Sequence, residues 1–350
     1  MRILETTLRD GSYAVDFKFT AADMADIAIR LERAGVDMIE IGHGVGLGAS
    51  EKGFGQAVET DENYLSAAAD CLKKAWFGMF CIPGIADLEH VDMAADYGAR
   101  FIRIGANVSE VDTTEKFIDR AKKRGLYVST NLMKSYTLPP DEFAQKALLP
   151  IKYGADLICV VDSAGGMLQE ELTAYFEAMR NVSDIPLGFH GHNNLGLAMA
   201  NSLKAIQMGA EIVDSSLQGL GRSAGNTPTE QLLAALDRMG IETGIDTLAI
   251  MEVGDELIRP LLRIKGLSPL DVTMGMALFH SSYMSVIRKY SSKYRVDPRM
   301  LIIELCKHDK VNAPEDLVER LAQNLNKSKV KIPIRLELTH YTGDEQKWMK

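Results

Sequence analysis

The chain has 350 residues, of which 48 are acidic and 39 are basic, and its formal net charge is −9. Hydrophobic residues make up 46% and charged residues 25%, a globular composition that excludes a disordered or fibrous chain. The acidic balance argues against nucleic acid as the main partner, because phosphate binding needs clustered lysine and arginine. We expect neither a membrane span nor a secretory signal. Four scattered cysteines without a Cys-x-x-Cys pair predict reduced, mostly buried thiols and a cytoplasmic location.

Short apolar runs alternate with amphipathic helical patterns along most of the chain. The predicted strands are residues 2–6, 38–42, 76–80, 101–104, 127–130, 157–161, 187–190 and 212–215. After the predicted N-cap Thr20, the apolar residues Met24, Ile27 and Leu31 recur as one face of a helix does. Eight strand–helix units predict a TIM (β/α)8 barrel over residues 1–245. A doubly wound open sheet is the alternative, and the barrel is favoured because eight units match its closure number.

From about residue 246 the pattern changes to helices without strands. Pro298 and Pro314 predict helix starts, because proline is favoured at the first helical position. Leucines at four-residue spacing follow the second proline. We therefore expect a C-terminal helical domain over residues 246–325. The remaining tail, residues 326–350, is either an edge strand or a loose segment.

Polar motifs follow the first, seventh and eighth predicted strands, which are neighbours in a closed barrel. The active site of a TIM barrel lies at the C-terminal ends of its strands. His190 and His192 are two residues apart in an extended segment, so both side chains point to the same side. With the carboxylate of Asp10 they predict a divalent-metal site that leaves open positions for a 2-oxo acid. The alternative is that the histidines donate to loop carbonyls and Asp10 caps a turn.

Three further motifs each fit a functional and a structural interpretation. Arg9 suits either the stabilisation of a developing enolate oxygen or an ion pair across the barrel rim. The glycine-rich segment of residues 219–228 is either a phosphate cradle or simply a turning loop. His43, after the second strand, suits a structural hydrogen bond as well as a contact with substrate.

Five segments carry a family resemblance: TLRDG, IEIGHGVGLGAS, VVDSAGGM, GFHGHNNLGLAMANSLKAI and GLGRSAGNTPTE. Together they resemble the 4-hydroxy-2-oxovalerate aldolases, pyruvate aldolases of the superfamily that contains HMG-CoA lyase and isopropylmalate synthase. The resemblance implies Arg9 at the enolate and Ser163 near the pyruvate carboxylate. The ligands that it implies for a Mn²⁺ or Mg²⁺ ion are Asp10, His190 and His192, with Asn226 at a polar position beside the metal.

The chain departs from the aldolase pattern at four positions. Tyr13 stands where the aldolases have a histidine, and His280 stands where they have a catalytic tyrosine. Lys134 and Arg222 add cations where an apolar and a small residue are expected. We predict that His280 is the base, that Tyr13 orients the substrate hydroxyl or donates a proton, and that both cations bind substrate. Unrelated drift toward another substrate is the alternative.

The leading hypothesis is a metal-dependent aldolase that converts a 4-hydroxy-2-oxo acid to pyruvate and an aldehyde through an enolate, or forms the same C–C bond. A Claisen-type lyase or acyltransferase acting on acyl-CoA is the first alternative. A catalytically altered binding partner of a dehydrogenase is the second. Residues 274–325 look like the family's dehydrogenase-contacting domain, so the resemblance implies an acylating aldehyde dehydrogenase as a partner. The other interpretation is that these helices only cover the barrel or form a homodimer. We also expect the chain to be a homo-oligomer.

Overall fold

A computed structural model describes residues 1–262 and 269–327. Its strands are Arg2–Glu5 (β1), Met38–Ile41 (β2), Trp76–Cys81 (β3), Phe101–Asn107 (β4), Tyr127–Met133 (β5), Leu157–Asp162 (β6), Leu187–Gly191 (β7) and Ile212–Ser215 (β8). All neighbours are parallel, and β1 pairs with β8 to close the barrel in chain order. The TIM-barrel prediction is confirmed, and the open-sheet alternative is wrong. Residues 328–350, with the predicted edge strand or loose tail, lie outside the described residues.

Two strands are longer than the apolar pattern predicted. β4 and β5 each continue three residues further, because they pair with each other from Gly105 and Asn131 to Asn107 and Met133. The other six strands agree with the prediction to within one residue at each end. The extension carries the polar side chains of Asn107 and Asn131 to the mouth of the barrel, where apolar periodicity gives no signal.

An α-helix follows every strand before the next one begins. These helices are Ala21–Arg33 (α1), Asp61–Cys71 (α2), Leu88–Asp96 (α3), Glu115–Lys123 (α4), Pro140–Tyr153 (α5), Gln169–Val182 (α6), Ala198–Gln207 (α7) and Thr229–Arg238 (α8). Thr20 caps α1 as predicted, since its hydroxyl accepts a hydrogen bond from the backbone nitrogen of Asp23 at 3.1 Å. Met24, Ile27 and Leu31 are buried on the face that packs against the barrel.

Helices alone follow the barrel. They are Thr247–Val253 (α9), Pro269–Ala277 (α10), Met284–Tyr294 (α11), Pro298–Cys306 (α12) and Glu315–Lys327 (α13). α9 contributes Ile250 and Val253 to the hydrophobic core of the barrel, whereas α10 to α13 form a second core of their own. α12 begins at Pro298 as predicted, and α13 begins one residue after Pro314. The domain boundary between residues 245 and 246 stays a prediction.

The described residues agree with two expectations from composition. None of the helices within residues 1–262 and 269–327 is long and apolar enough to cross a membrane. Cys81, Cys159 and Cys306 are buried free thiols, and Cys71 is half-buried. Burial raises the pKa of the Cys306 thiol to about 12, so these side chains act as small apolar residues.

Candidate active site

A cavity of about 390 Å³ opens at the C-terminal end of the barrel. Residues after the strands line most of it, and the segment from His280 to Tyr283, just before α11, closes one side. The predicted site residues that line it are Arg9, Asp10, Tyr13, Lys134, Ser163, His190, His192, Arg222 and His280. Asn226 lies beside this set, because its backbone forms a β-bridge with that of His192. The fold therefore brings together the residues that the sequence proposed from distant segments.

Asp10, His190 and His192 form a compact buried group. One ligand atom from each residue lies within 4.8 Å of the others. The Nε2 atom of His190 is 3.6 Å from Oδ2 of Asp10, and the two imidazole rings are 5.0 Å apart and nearly perpendicular. Asp10 begins a 3-10 turn after β1, and the histidines lie at and just beyond the end of β7. This geometry suits a divalent ion with positions left open for substrate.

Both imidazoles are held through their Nδ1 atoms. Nδ1 of His190 is 2.8 Å from Oδ2 of Asp214, and Nδ1 of His192 is 3.3 Å from the carbonyl oxygen of Gly225. The structural alternative predicted such contacts for Nδ1. The Nε2 atom of His190 faces Asp10, and that of His192 lies 3.3 Å from Nη2 of Arg222. A metal-binding histidine is commonly oriented in this way. Burial lowers the pKa of His192 to about 3, so its ring is neutral, as a ligand must be.

The Asp10 carboxylate has a fixed donor on each oxygen. Its Oδ2 accepts a hydrogen bond from Nη1 of Arg9 at 2.6 Å, and its Oδ1 accepts one from the backbone nitrogen of Arg222 at 2.9 Å. Burial opposes ionisation, but the charge of Arg9, with smaller effects from the histidines and Arg222, holds the pKa of Asp10 well below its usual range. Asp10 is therefore an anion at neutral pH, and its carboxylate does not cap its own turn.

Arg9 forms the ion pair that one interpretation predicted, and its position is compatible with the other. Its Nε donates to Oε2 of Glu40 at 2.7 Å, which with the Asp10 contact makes a buried ion-pair cluster at the rim. Its guanidinium carbon lies 4.9 Å from the centre of the Phe80 ring, and the side chain also lines the cavity. A guanidinium fixed in this way presents donors without needing to reorganise.

A buried ion-pair network beneath the cavity was not foreseen from the sequence. Arg103, on β4, is 1% exposed and donates to Oε2 of Glu40 at 2.9 Å and to Oδ2 of Asp214 at 2.5 Å. Glu40 also contacts Arg9, and Asp214 also contacts His190, so the network joins both sides of the site. The sequence does carry a signal for this network, since each of three apolar strands contains a charged residue. Buried strands hold charges only when these charges are paired.

The hydrogen bonds of the glycine-rich loop, residues 219–228, favour a turning loop over a phosphate cradle. Its amides donate to protein acceptors: Arg222 to Asp10, Gly225 to the carbonyl of Arg222, and Asn226 to the carbonyl of Gly219. Both polar atoms of the Asn226 side chain are buried without a hydrogen-bond partner among the described residues. A buried amide of this kind fits a bound ion, water or substrate. A Cβ on Gly221 would lie 2.5 Å from Nδ2 of Asn226, so a larger residue there would displace the Asn226 side chain.

Ser163 and His43 differ in how they relate to the cavity. The Oγ atom of Ser163 accepts a hydrogen bond from the backbone nitrogen of Lys134 at 3.0 Å, and the residue lines the cavity after β6. His43 does not line it. Nε2 of His43 is 3.1 Å from the carbonyl oxygen of Gly55, and its Nδ1 accepts from the backbone nitrogen of Val45 at 3.1 Å. These contacts favour the structural interpretation of His43.

Comparison with known proteins assigns the family. A family model described as HMGL-like matches residues 1–257. The 4-hydroxy-2-oxovalerate aldolase of Carboxydothermus hydrogenoformans is 39% identical over 329 residues, covering 94% of this chain and 98% of that protein. The chain belongs to the HMGL-like family, among the 4-hydroxy-2-oxovalerate aldolases. The aldolase of Pelotomaculum thermopropionicum is also 39% identical, over 94% of this chain and 97% of its own length.

Solved structures agree with the fold of this aldolase family member. The carboxyl transferase domain of Rhizobium etli pyruvate carboxylase, with pyruvate and biocytin, superposes with a TM-score of 0.76. Its sequence identity is 16%, over 94% of this chain and 60% of that one, so the likeness concerns the fold alone.

The four departures from the aldolase pattern lie together in the cavity. The ring of His280 faces Arg222, whose Nη1 lies 2.7 Å from Nε2 of the imidazole. The guanidinium carbon of Arg222 is in turn 5.8 Å from the centre of the half-buried Tyr13 ring. Burial, followed by the charges of Arg222 and Lys134, lowers the pKa of His280 well below its usual 6.5. His280 therefore faces the site as a neutral ring and does not point into the helical domain.

Proposed function

We propose that this member of the aldolase family is a carbon–carbon lyase that cleaves a 4-hydroxy-2-oxo acid to pyruvate and an aldehyde. A divalent ion, Mn²⁺ or Mg²⁺, would be held by Asp10, His190 and His192. The observation that carries the proposal is this buried group at the end of the barrel, with ligand atoms within 4.8 Å of one another. The unpartnered amide of Asn226 beside it supports the same assignment. When bound, such an ion supplies Lewis-acid polarisation of the 2-oxo group.

Arg9 and Ser163 bind the half of the substrate that becomes pyruvate. Arg9, fixed by Asp10 and Glu40, donates hydrogen bonds to the oxygen that becomes negative as the enolate forms. The Ser163 hydroxyl, which lines the cavity, binds the carboxylate. The negative charge that develops during cleavage is thus met by donors already in position.

His280 and Tyr13 handle the substrate hydroxyl. His280 removes the proton of the 4-hydroxyl group once the substrate displaces Nη1 of Arg222, which lies 2.7 Å from Nε2 of the imidazole. Tyr13, whose ring centre is 5.8 Å from the guanidinium carbon of Arg222, orients that hydroxyl group. The C3–C4 bond then breaks, its electron pair forms the enolate of pyruvate, and C4 leaves as the aldehyde carbon. A proton returned to C3 completes pyruvate, so no oxidant or reductant is consumed.

Purified protein assayed with Mn²⁺ against a panel of 4-hydroxy-2-oxo acids tests the proposal. We expect pyruvate and an aldehyde in equal amounts, because both come from one bond cleavage. Turnover of acyl-CoA substrates with no cleavage of any 4-hydroxy-2-oxo acid would favour the Claisen-type alternative. The family assignment and the grouped ligand set argue against both that alternative and a catalytically altered binding protein.

Substitution of the two proton-handling residues should give different pH profiles. His280→Ala should lower kcat by about 10²–10⁴-fold, the usual contribution of a general base. In the unsubstituted enzyme the rate falls as pH drops through the His280 pKa, because the protonated ring accepts no proton. That limb should lie below pH 6.5, since the pKa is lowered, and should disappear in His280→Ala. Tyr13→Phe should keep the limb. The exposed His308→Ala is the matched control, and a limb that persists in His280→Ala would refute the assignment.

The C-terminal helices cover the mouth of the barrel and also offer a surface for a partner protein. The segment before α11 closes one side of the cavity. The loop after α12 contacts a cavity-lining residue, since Lys134 donates to the carbonyl of Val311 at 2.6 Å. We propose that the outer faces of these helices bind an acylating aldehyde dehydrogenase, which takes the reactive aldehyde before it reaches solvent. Purification from the native source should give an equimolar complex with the dehydrogenase. The mass of that complex should show whether the chain also forms a homo-oligomer. Recovery without any dehydrogenase would argue that these helices only cover the barrel.

A further inference from the structure

The Arg222 guanidinium joins a proposed metal ligand to the proposed base. Its Nη2 atom lies 3.3 Å from Nε2 of His192, and its Nη1 atom lies 2.7 Å from Nε2 of His280. All three residues are buried and line the cavity. Because a guanidinium is planar and rigid, a movement of Arg222 that breaks one of these contacts also changes the other.

The contact with His192 occupies the atom that a metal ion needs. Nδ1 of His192 donates to the carbonyl oxygen of Gly225 at 3.3 Å, so the lone pair of the neutral ring is on Nε2. The nitrogens of a guanidinium only donate, and Nη2 of Arg222 therefore directs a proton at that lone pair. One lone pair does not bind a cation and accept a hydrogen bond at the same time. Arg222 must leave His192 before His192 can hold an ion.

The backbone of Arg222 is fixed, so the side chain alone can make this movement. The backbone nitrogen donates to Oδ1 of Asp10 at 2.9 Å, and the carbonyl oxygen accepts from the nitrogen of Gly225 at 3.0 Å. The cavity of about 390 Å³ adjoins the guanidinium and leaves it room to turn. The ring of Tyr13, whose centre lies 5.8 Å from the guanidinium carbon, offers a face for a cation in the same cavity.

We propose that Arg222 is a positioning residue that competes with the metal ion for His192 and so couples the release of His280 to metal binding. The inference rests on the proposed function and specifies how its site is regulated. Once His192 holds the ion, Arg222 has lost a contact, and the substrate displaces it from His280 at a lower cost in free energy. Reciprocally, the contacts that hold Arg222 at His192, including the one with His280, weaken metal binding.

Mn²⁺ affinity in the absence of substrate tests the inference, with the free ion measured by electron paramagnetic resonance. Arg222→Met removes the guanidinium and keeps the backbone contact with Asp10. The Kd for Mn²⁺ should therefore fall by about 10–100-fold, the effect of one hydrogen bond to a charged group. Arg238→Met, which removes an exposed arginine at the end of α8, is the matched control and should leave the Kd unchanged.

His280→Ala gives a readout that a merely structural role would not change. His280 is not one of the proposed metal ligands, so the competition alone predicts tighter Mn²⁺ binding when this ring is removed. We expect the Kd to fall by about 3–10-fold, because Arg222 loses a contact that holds it at His192. His280→Ala should add no further change to Arg222→Met, since both substitutions act on one interaction.

The outcomes separate the inference from the function on which it rests. If the unsubstituted protein binds Mn²⁺ and the Kd does not fall in Arg222→Met, the competition is wrong and the metal site stands. If the Kd does not fall in His280→Ala, or the two effects add, the coupling to His280 is wrong. His280→Ala also carries the test if Arg222→Met fails to fold. If the unsubstituted protein does not bind Mn²⁺, both the proposed function and the inference are overturned.

Discussion

Replacing Asp10 with asparagine should lower the rate of pyruvate formation on the order of 10³-fold, because it removes the carboxylate of the proposed metal site. Asparagine keeps an oxygen for the backbone nitrogen of Arg222, so the loop after β8 retains its support. It brings no negative charge to Arg9 or to a divalent ion. We therefore expect loss of metal affinity together with loss of turnover, in a protein that still folds.

Metal content after dialysis, pyruvate release and thermal unfolding measure the three parts of this prediction. Asp70→Asn is the matched control, since Asp70 is exposed on α2 and lies outside the site. A second variant that combines Asp10→Asn with His190→Ala removes two of the three ligand groups. Full metal occupancy in that double variant would show that the ion binds elsewhere.

Replacing Arg103 with leucine should lower the free energy of unfolding by about 3–5 kcal/mol, the usual effect of breaking a buried ion pair. Arg103 donates to Glu40 at 2.9 Å and to Asp214 at 2.5 Å, and the substitution leaves both carboxylates buried without this cation. Activity should also fall, because the same carboxylates contact Arg9 and His190. Chemical denaturation measures the first effect and steady-state kinetics the second.

Two further variants separate the effect of this ion-pair network on stability from its effect on the positions of the site residues. Arg100→Leu removes an exposed arginine immediately before β4 and should change the free energy of unfolding by less than about 0.5 kcal/mol. Combining Arg103→Met with Glu40→Gln and Asp214→Asn removes these three buried charges and leaves Arg9 paired with Asp10, and should recover most of the stability but little of the activity. If Arg103→Leu is as stable as the Arg100→Leu control, the network does not hold the barrel together.

The sequence predicted the barrel because each strand is a compact apolar run. Residues 2–6 and 38–42 are examples, and both strands lie within one residue of the prediction. Prediction was weaker at β4 and β5, whose last residues are held by pairing between the strands and not by apolar periodicity. A pairing register depends on two segments at once, and no single run of residues reveals it.

The grouping of Asp10, His190 and His192 was accessible from the sequence for the same reason. Each lies at the end of a predicted strand or within four residues after it, and closure of the barrel brings those ends together. The network through Arg103 was missed, because its contacts cross the barrel interior between residues as far apart as 111 positions. The contact of Arg222 with His280 depends likewise on how the C-terminal segment packs over the mouth, which spacing does not encode.

Anomalous diffraction from crystals grown with Mn²⁺ and pyruvate tests the central claim most directly. The account predicts one strong manganese peak between Asp10, His190 and His192, with pyruvate beside it and its oxygens within reach of Arg9 and Ser163. A manganese peak at any other position in the barrel, or pyruvate bound away from these residues, would contradict it.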